Sequence, residues 1–119
     1  MIESTPMEPK KKTTKYICPS CGFNVFQEPP GSFEICPLCD WEDDRVQLRL
    51  PGFAGGANKK NLYQHQFRSV KAIPLHIREH QGYHRDENWR PLREDERVAD
   101  GPGIGSESAP YYWKAEGPG

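Results

Sequence analysis

The apolar pair Tyr16 and Ile17 leads into a Cys-Pro-x-Cys turn. Phe23 to Glu28 then alternates weakly, as a half-buried strand does. Pro29-Pro30-Gly31 breaks that run, and Ser32 to Ile35 returns toward a second Cys-Pro-x-Cys turn, so the two segments are expected to pair as a hairpin. Val46, Leu48 and Leu50 alternate with Gln47 and Arg49, which predicts a third strand with one buried face. A glycine-rich loop follows from Pro51 to Ala57. Leu62, His65, Gln66, Ser69, Val70 and Ile73 next fall on one helical stripe, with Tyr63, Phe67 and Val70 on a neighbouring one. Asn61 stands where an N-cap belongs, Gln64 completes a capping box with it, and Pro74 ends the helix.

From Leu75 the pattern dissolves. His76 to Val98 carries five arginines and six acids with no sustained period. His76, His80 and His84 would share a face on an unbroken helix, but Gly82 argues against one. His76-Ile77-Arg78-Glu79-His80 also matches an H-x-x-E-H metalloprotease pattern; five residues in a polar segment, without an apolar helix around them, read instead as solvated surface. Trp89 and Leu92 are expected to anchor this extension. Asp100 to Pro110 is rich in Gly, Pro and Ser, and Tyr111-Tyr112-Trp113 either docks on the protein's own core or anchors a partner. The resulting division is a disordered leader at 1–15, a folded domain at 16–75 and a charged extension at 76–119.

Composition sharpens this picture at one point. Only 34% of the 119 residues are apolar, mean hydropathy is −0.89, and 11 Gly with 12 Pro make up nearly a fifth of the chain. So lean a core needs a staple. All four cysteines, Cys18, Cys21, Cys36 and Cys39, lie in the two turns, and two facing pairs offer a tetrahedron of thiolates. Zinc is its usual occupant, and binding contributes roughly 10 kcal/mol or more to folding in such sites; iron is the other metal that this set can take. Pro19 and Gly22 shape the first turn, and Asp40, in the place of Gly22, tolerates the same left-handed backbone. The fold expected is therefore small α+β: a zinc-ribbon-like hairpin or three-stranded antiparallel sheet, one packed helix and an irregular C-terminal extension.

With 16 basic and 17 acidic side chains the net charge is −1, so no global basic bias marks a nucleic-acid binder. Met1 to Pro9 is polar and Lys10-Lys11-Lys12 follows, unlike a signal peptide, and no run reaches membrane-spanning length. A soluble cytoplasmic protein is expected, where paired cysteines hold metal more often than they form disulfides. Asp40, Glu42, Asp43 and Asp44 form an acidic run around Trp41. It reads either as a solvated loop or, with Tyr111, Tyr112 and Trp113, as a partner-binding surface; Trp41 is either a cover for the metal turn or a stacking surface.

Tyr16-x-Cys18-Pro19-x-Cys21-Gly22, Glu34-Ile35-Cys36-Pro37-x-Cys39-x-Trp41-Glu42-Asp43-Asp44, Gln47, Gly55-Gly56-Ala57-Asn58 and Asn61-Leu62 together resemble the bacterial cysteine-rich CPCC family. Ser20 departs from it, standing where the name motif has a second cysteine, and the helix after Leu62 departs as well. The resemblance implies a small zinc-binding fold with no established catalytic role. Association of such proteins with secreted bacterial toxins suggests immunity-type inhibitors. The function expected is a non-enzymatic protein-interaction module whose sharpest form neutralises a cognate toxin domain with a basic surface. The alternative is a nucleic-acid-binding zinc ribbon, with Lys10–Lys15, Arg49, Lys59, Lys60, Arg68 and Lys71 as its basic face.

Overall fold

The computed structural model describes residues 16–104 and 111–113, so the expected leader at 1–15 lies outside the described residues. Among the described residues, two short antiparallel hairpins and one substantial helix make an α+β architecture around a core. Strand β1 (Tyr16–Ile17) pairs with β2 (Asn24–Phe26), with Tyr16 opposite Phe26 and a register irregularity beside it. The first cysteine turn is the connection between them.

This corrects the expected hairpin. Ser32 to Ile35 does not pair with β2; it runs beside Glu42 and Asp43, through a bridge between Ile35 and Glu42 and the bonds Phe33 N–H to Asp43 O (3.0 Å) and Asp43 N–H to Glu34 O (2.9 Å). Each cysteine turn is therefore closed by its own flanking segments, because a tight turn returns the chain alongside the residues that entered it. The Glu34 carboxylate links this segment to the residues just after β2, accepting from the Gln27 and Glu28 amides.

The third strand is also corrected. Residues Arg45–Arg49 form a short helix, α1. Asp44 caps it, its carboxylate accepting from Val46 N–H at 2.8 Å and Gln47 N–H at 3.2 Å. Gln47 and Leu48 are both buried while Val46 is exposed, an arrangement that a two-residue alternation cannot give.

Helix α2 (Leu62–Ala72) follows the expected stripe, with the Asn61–Gln64 capping box formed and Ile73 as C-cap. Leu62, His65, Gln66 and Ser69 are its buried face. Beyond it, β3 (Glu79–His80) and β4 (Tyr83–His84) form a tight hairpin whose turn, Gln81-Gly82, has positive φ at both residues. The H-x-x-E-H residues thus fall on a turn and a strand, not on one helix. Phe23 bridges to Arg85, and Trp89, Leu92, Tyr111, Tyr112 and Trp113 complete the core that begins at Ile17. Among the described residues no helix is long and apolar enough to cross a membrane.

Candidate metal centre

The two cysteine turns are built to one plan. In the first, Cys18 N–H donates to Phe23 O (3.0 Å) and Gly22 N–H to Cys18 O (2.7 Å); in the second, Cys36 N–H donates to Trp41 O (2.8 Å) and Asp40 N–H to Cys36 O (3.0 Å). The residue after each second cysteine takes a left-handed backbone, Gly22 at φ 84° and Asp40 at φ 71°. Glycine adopts this freely, and Asp is among the side chains that tolerate it. In the second turn the Leu38 N–H also points at the Cys36 sulfur, 3.3 Å away. Backbone donors of this kind stabilise thiolate.

The turns face each other. All four sulfurs lie within 4.8 Å of one another, with Cys18 Sγ 3.6 Å from Cys39 Sγ and Cys21 Sγ 3.7 Å from Cys36 Sγ. Zn–S bonds of about 2.3 Å imply tetrahedron edges of about 3.8 Å, so the two shortest separations match the spacing a tetrahedral ion requires and the remaining ones lie within 4.8 Å. The sulfurs are too far apart for disulfides, whose S–S bond is about 2.05 Å, and all four are free thiols. Cys18, Cys21 and Cys36 are buried and Cys39 is half-buried. Burial, and then contact with the other three sulfurs, pushes the Cys18 thiol up, while a hydrogen bond from Cys18 draws Cys39 down. Four crowded thiols resist becoming four thiolates by themselves; a cation at their centre removes that resistance.

The surroundings hold the turns rigid. Pro19 O in the first turn accepts from Trp89 Nε1 and from Gln66 Nε2 of α2, each at 2.9 Å. Trp89 lies so close to Gly22 that a Cβ there would stand 2.5 Å from its ring. Gln66 also donates to Tyr112 Oη and accepts from Leu92 N–H, tying α2 to the C-terminal segments. Ser20 turns its hydroxyl to His65 Nδ1 (2.5 Å) and Ser69 Oγ (2.7 Å), within a buried polar cluster on α2. Trp41 is fully buried and meets His65 edge-on at 5.2 Å, which makes it cover, not stacking surface.

Half of the acidic run, Asp43 and Asp44, is turned inward. Asp43 accepts from Ser32 N–H and Oγ–H, and burial raises its pKa despite those bonds. Asp44 caps α1 and accepts from Ala57 N–H. Gln47 and Asn58 then interlock: Asn58 N–H and Nδ2 donate to Gln47 Oε1, Gln47 Nε2 donates to Asn58 O, and Asn58 holds both the N–H and C=O of Glu42. The string of acids, Gln47 and the Gly-Gly-Ala-Asn loop is thus one clamp that fixes the second turn. Of the proposed partner residues, Trp41, Asp43, Asp44, Tyr111, Tyr112 and Trp113 are buried; Asp40 is exposed and Glu42 partly so. Within the chain, only Asp40 and part of Glu42 among them reach the surface. Tyr111 stacks on Trp113 and accepts from Ile17 N–H, so the aromatic run docks on the chain itself.

The sequence model of the family described as cysteine-rich CPCC matches residues 16–85, more than half of the chain, and the chain belongs to that family. The match ends at Arg85, the residue that bridges to Phe23. No curated protein matches it significantly.

Proposed function

We propose that this cysteine-rich CPCC protein is a non-enzymatic binding module, folded around a structural zinc ion held by Cys18, Cys21, Cys36 and Cys39, that works in the reducing cytoplasm by engaging another protein. The observation that carries the metal reading is the set of four sulfurs within 4.8 Å of one another, with two of their separations at the edge length of a metal tetrahedron. Four protein ligands leave a bound zinc no open position for water, which favours a scaffold role over hydrolysis. A tetrahedral set of four thiolates suits zinc or iron; zinc is taken here because it is the usual occupant of a closed structural site of this kind.

The surface that supports a partner lies over the second turn. Phe33 (57% exposed) and Ile35 (61%) carry large apolar side chains into solvent along the segment that pairs with Glu42, and Asp40 lies just beyond the turn. Phe33 holds φ at 62°, a backbone that a bulky residue rarely takes, to present that side chain. Asp40 and Glu42 beside this apolar pair share their surface with Lys59, Lys60 and Arg68, so an apolar centre with a rim of mixed charge faces the partner. The sharpest form of the reading is an immunity-type inhibitor of a bacterial toxin domain with a basic surface; Asp40 and Glu42 support it, whereas Asp43 and Asp44 are committed inside.

The experiment has two arms. Native mass spectrometry of the purified chain should show one zinc per molecule, lost with unfolding in Cys36→Ser. A folded, metal-free Cys36→Ser chain would reject the structural metal. The zinc-loaded chain used as bait should then retain a protein partner that Phe33→Ser with Ile35→Ser releases while melting stays unchanged. Retention of RNA or DNA that weakens steeply with salt would instead favour the nucleic-acid reading.

A further inference from the structure

Arg85 is fully buried. Its Nε donates to Cys21 O (2.9 Å), Nη1 to Pro74 O (2.7 Å) and Ile77 O (3.0 Å), and Nη2 to Ile73 O (3.0 Å). Phe23 covers the guanidinium at 4.5 Å from its ring centroid and Trp89 at 5.6 Å. These contacts satisfy donors, but they do not neutralise charge. A buried cation ordinarily keeps a carboxylate beside it, since an unpaired one costs several kcal/mol. Among the described residues no carboxylate lies within ion-pair distance of Arg85. The cationic neighbour Arg78, whose Nη2 reaches Arg85 O, makes the need greater.

What faces Arg85 instead is the metal turn and the carbonyl end of α2. Four thiolates around a divalent ion carry a net charge of −2, and Arg85 is one backbone carbonyl from the ligand Cys21. The C-cap carbonyls of α2 add the negative end of a helix dipole. We infer that Arg85 is the buried counter-charge of the metal–thiolate centre, a positioning residue that raises metal affinity through its charge as well as its packing. The inference rests on the metal reading of the four cysteines. It gives the β3–β4 hairpin a purpose, because that hairpin leads the chain to Arg85 and closes the gap between α2 and the first turn.

The test uses the full chain with Arg85→Gln, which removes the charge and keeps polar atoms, and Arg85→Lys, which keeps the charge and loses the planar fork. Both are expected to melt below the wild type, because either loses the stacked guanidinium. Zinc affinity, read by chelator competition, should fall about 10–100-fold in Arg85→Gln and much less in Arg85→Lys. With iron in the site, the iron(III)/iron(II) potential should move negative in Arg85→Gln, because the reduced centre bears the extra negative charge that Arg85 offsets. Arg85→Lys should leave it near the wild type. A purely structural role would lower stability in both variants without separating their potentials, and that result would overturn the inference. If Arg85→Gln fails to fold, Arg85→Met, neutral and unbranched, takes its place beside Arg85→Lys: a potential more negative in Arg85→Met than in Arg85→Lys supports the charge role, and equal potentials reject it. A wild-type chain that takes up no metal would sink the metal reading itself. Normal wild-type uptake with two indistinguishable variants would sink only the role of Arg85.

Discussion

Gly22→Ala tests how tightly the first cysteine turn is packed. Gly22 has φ 84°, and an added Cβ would meet Cδ2 and Cε3 of Trp89 at 2.5 Å, in the middle of a rigid ring. Gly55 and Gly82 share the backbone conformation, each at φ 87°, but nothing lies within 4 Å of a Cβ at either. Alanine at those two positions should therefore cost only the left-handed backbone penalty, about 1–2 kcal/mol. At Gly22 the same penalty is joined by displacement of Trp89. That weakens the Trp89 Nε1 to Pro19 O bond, worth about 1 kcal/mol, and overpacks the core at about 1–3 kcal/mol. The sum is about 3–6 kcal/mol, a large share of the stability of a small domain. Urea unfolding followed by tryptophan fluorescence measures it, with free zinc held constant across variants because bound ligand shifts the midpoint. If Gly22→Ala lies within about 0.5 kcal/mol of Gly55→Ala and Gly82→Ala, Trp89 does not seal the turn as described.

Asp40→Gly relieves the left-handed strain at the matching position of the second turn. It should stabilise the chain by up to about 1 kcal/mol, since the Arg68–Asp40 pair it removes is long and exposed; a loss on urea titration would contradict this. Ser20→Cys should keep one metal per chain by native mass spectrometry, because residue 20 points at His65 and Ser69; a second equivalent would show that the added sulfur helps hold another ion. Glu96 has its pKa lowered chiefly by its hydrogen bonds from Arg90. A depressed carboxylate stabilises the fold above its unfolded pKa of about 4.3 and loses that contribution as pH falls through the lower folded value. The stability gap between wild type and Glu96→Gln should therefore be constant from pH 7 to about 5.5 and narrow as pH falls below about 4.3 toward the lower folded value. A gap that widens in acid would reverse the assignment.

What was legible in the sequence was local. Two Cys-Pro-x-Cys turns, the left-handed positions after them and the Asn61–Gln64 box are each written within a few residues, and each formed as read. What was not legible depends on partners distant along the chain. Alternation at Val46–Leu50 suggested a strand, but a single side-chain cap from Asp44 made it a helix. Four acids in five residues read as surface because charge alone favours water. Asp43 and Asp44 are held inside by donors from Ser32 and Ala57, 11 and 13 residues away. A signal was present: Gln47 and the Gly-Gly-Ala-Asn loop belong to the same motif string, and Gly56 leaves too little room for a Cβ against Asp44. Arg85 gave no comparable sign, standing as one of five arginines in a polar run.

The bond from Ile17 N–H to Tyr111 Oη spans 94 positions. During synthesis at roughly 5–20 residues per second, about 5–20 s separate the appearance of its two ends. All four sulfurs have emerged by residue 39, well before Tyr111, Tyr112 and Trp113 arrive to cover the side of the core next to Cys18. An ion therefore has its whole ligand set in open solvent while the chain is still growing. A site that ends up almost wholly buried needs no entry channel, because the chain is built around it.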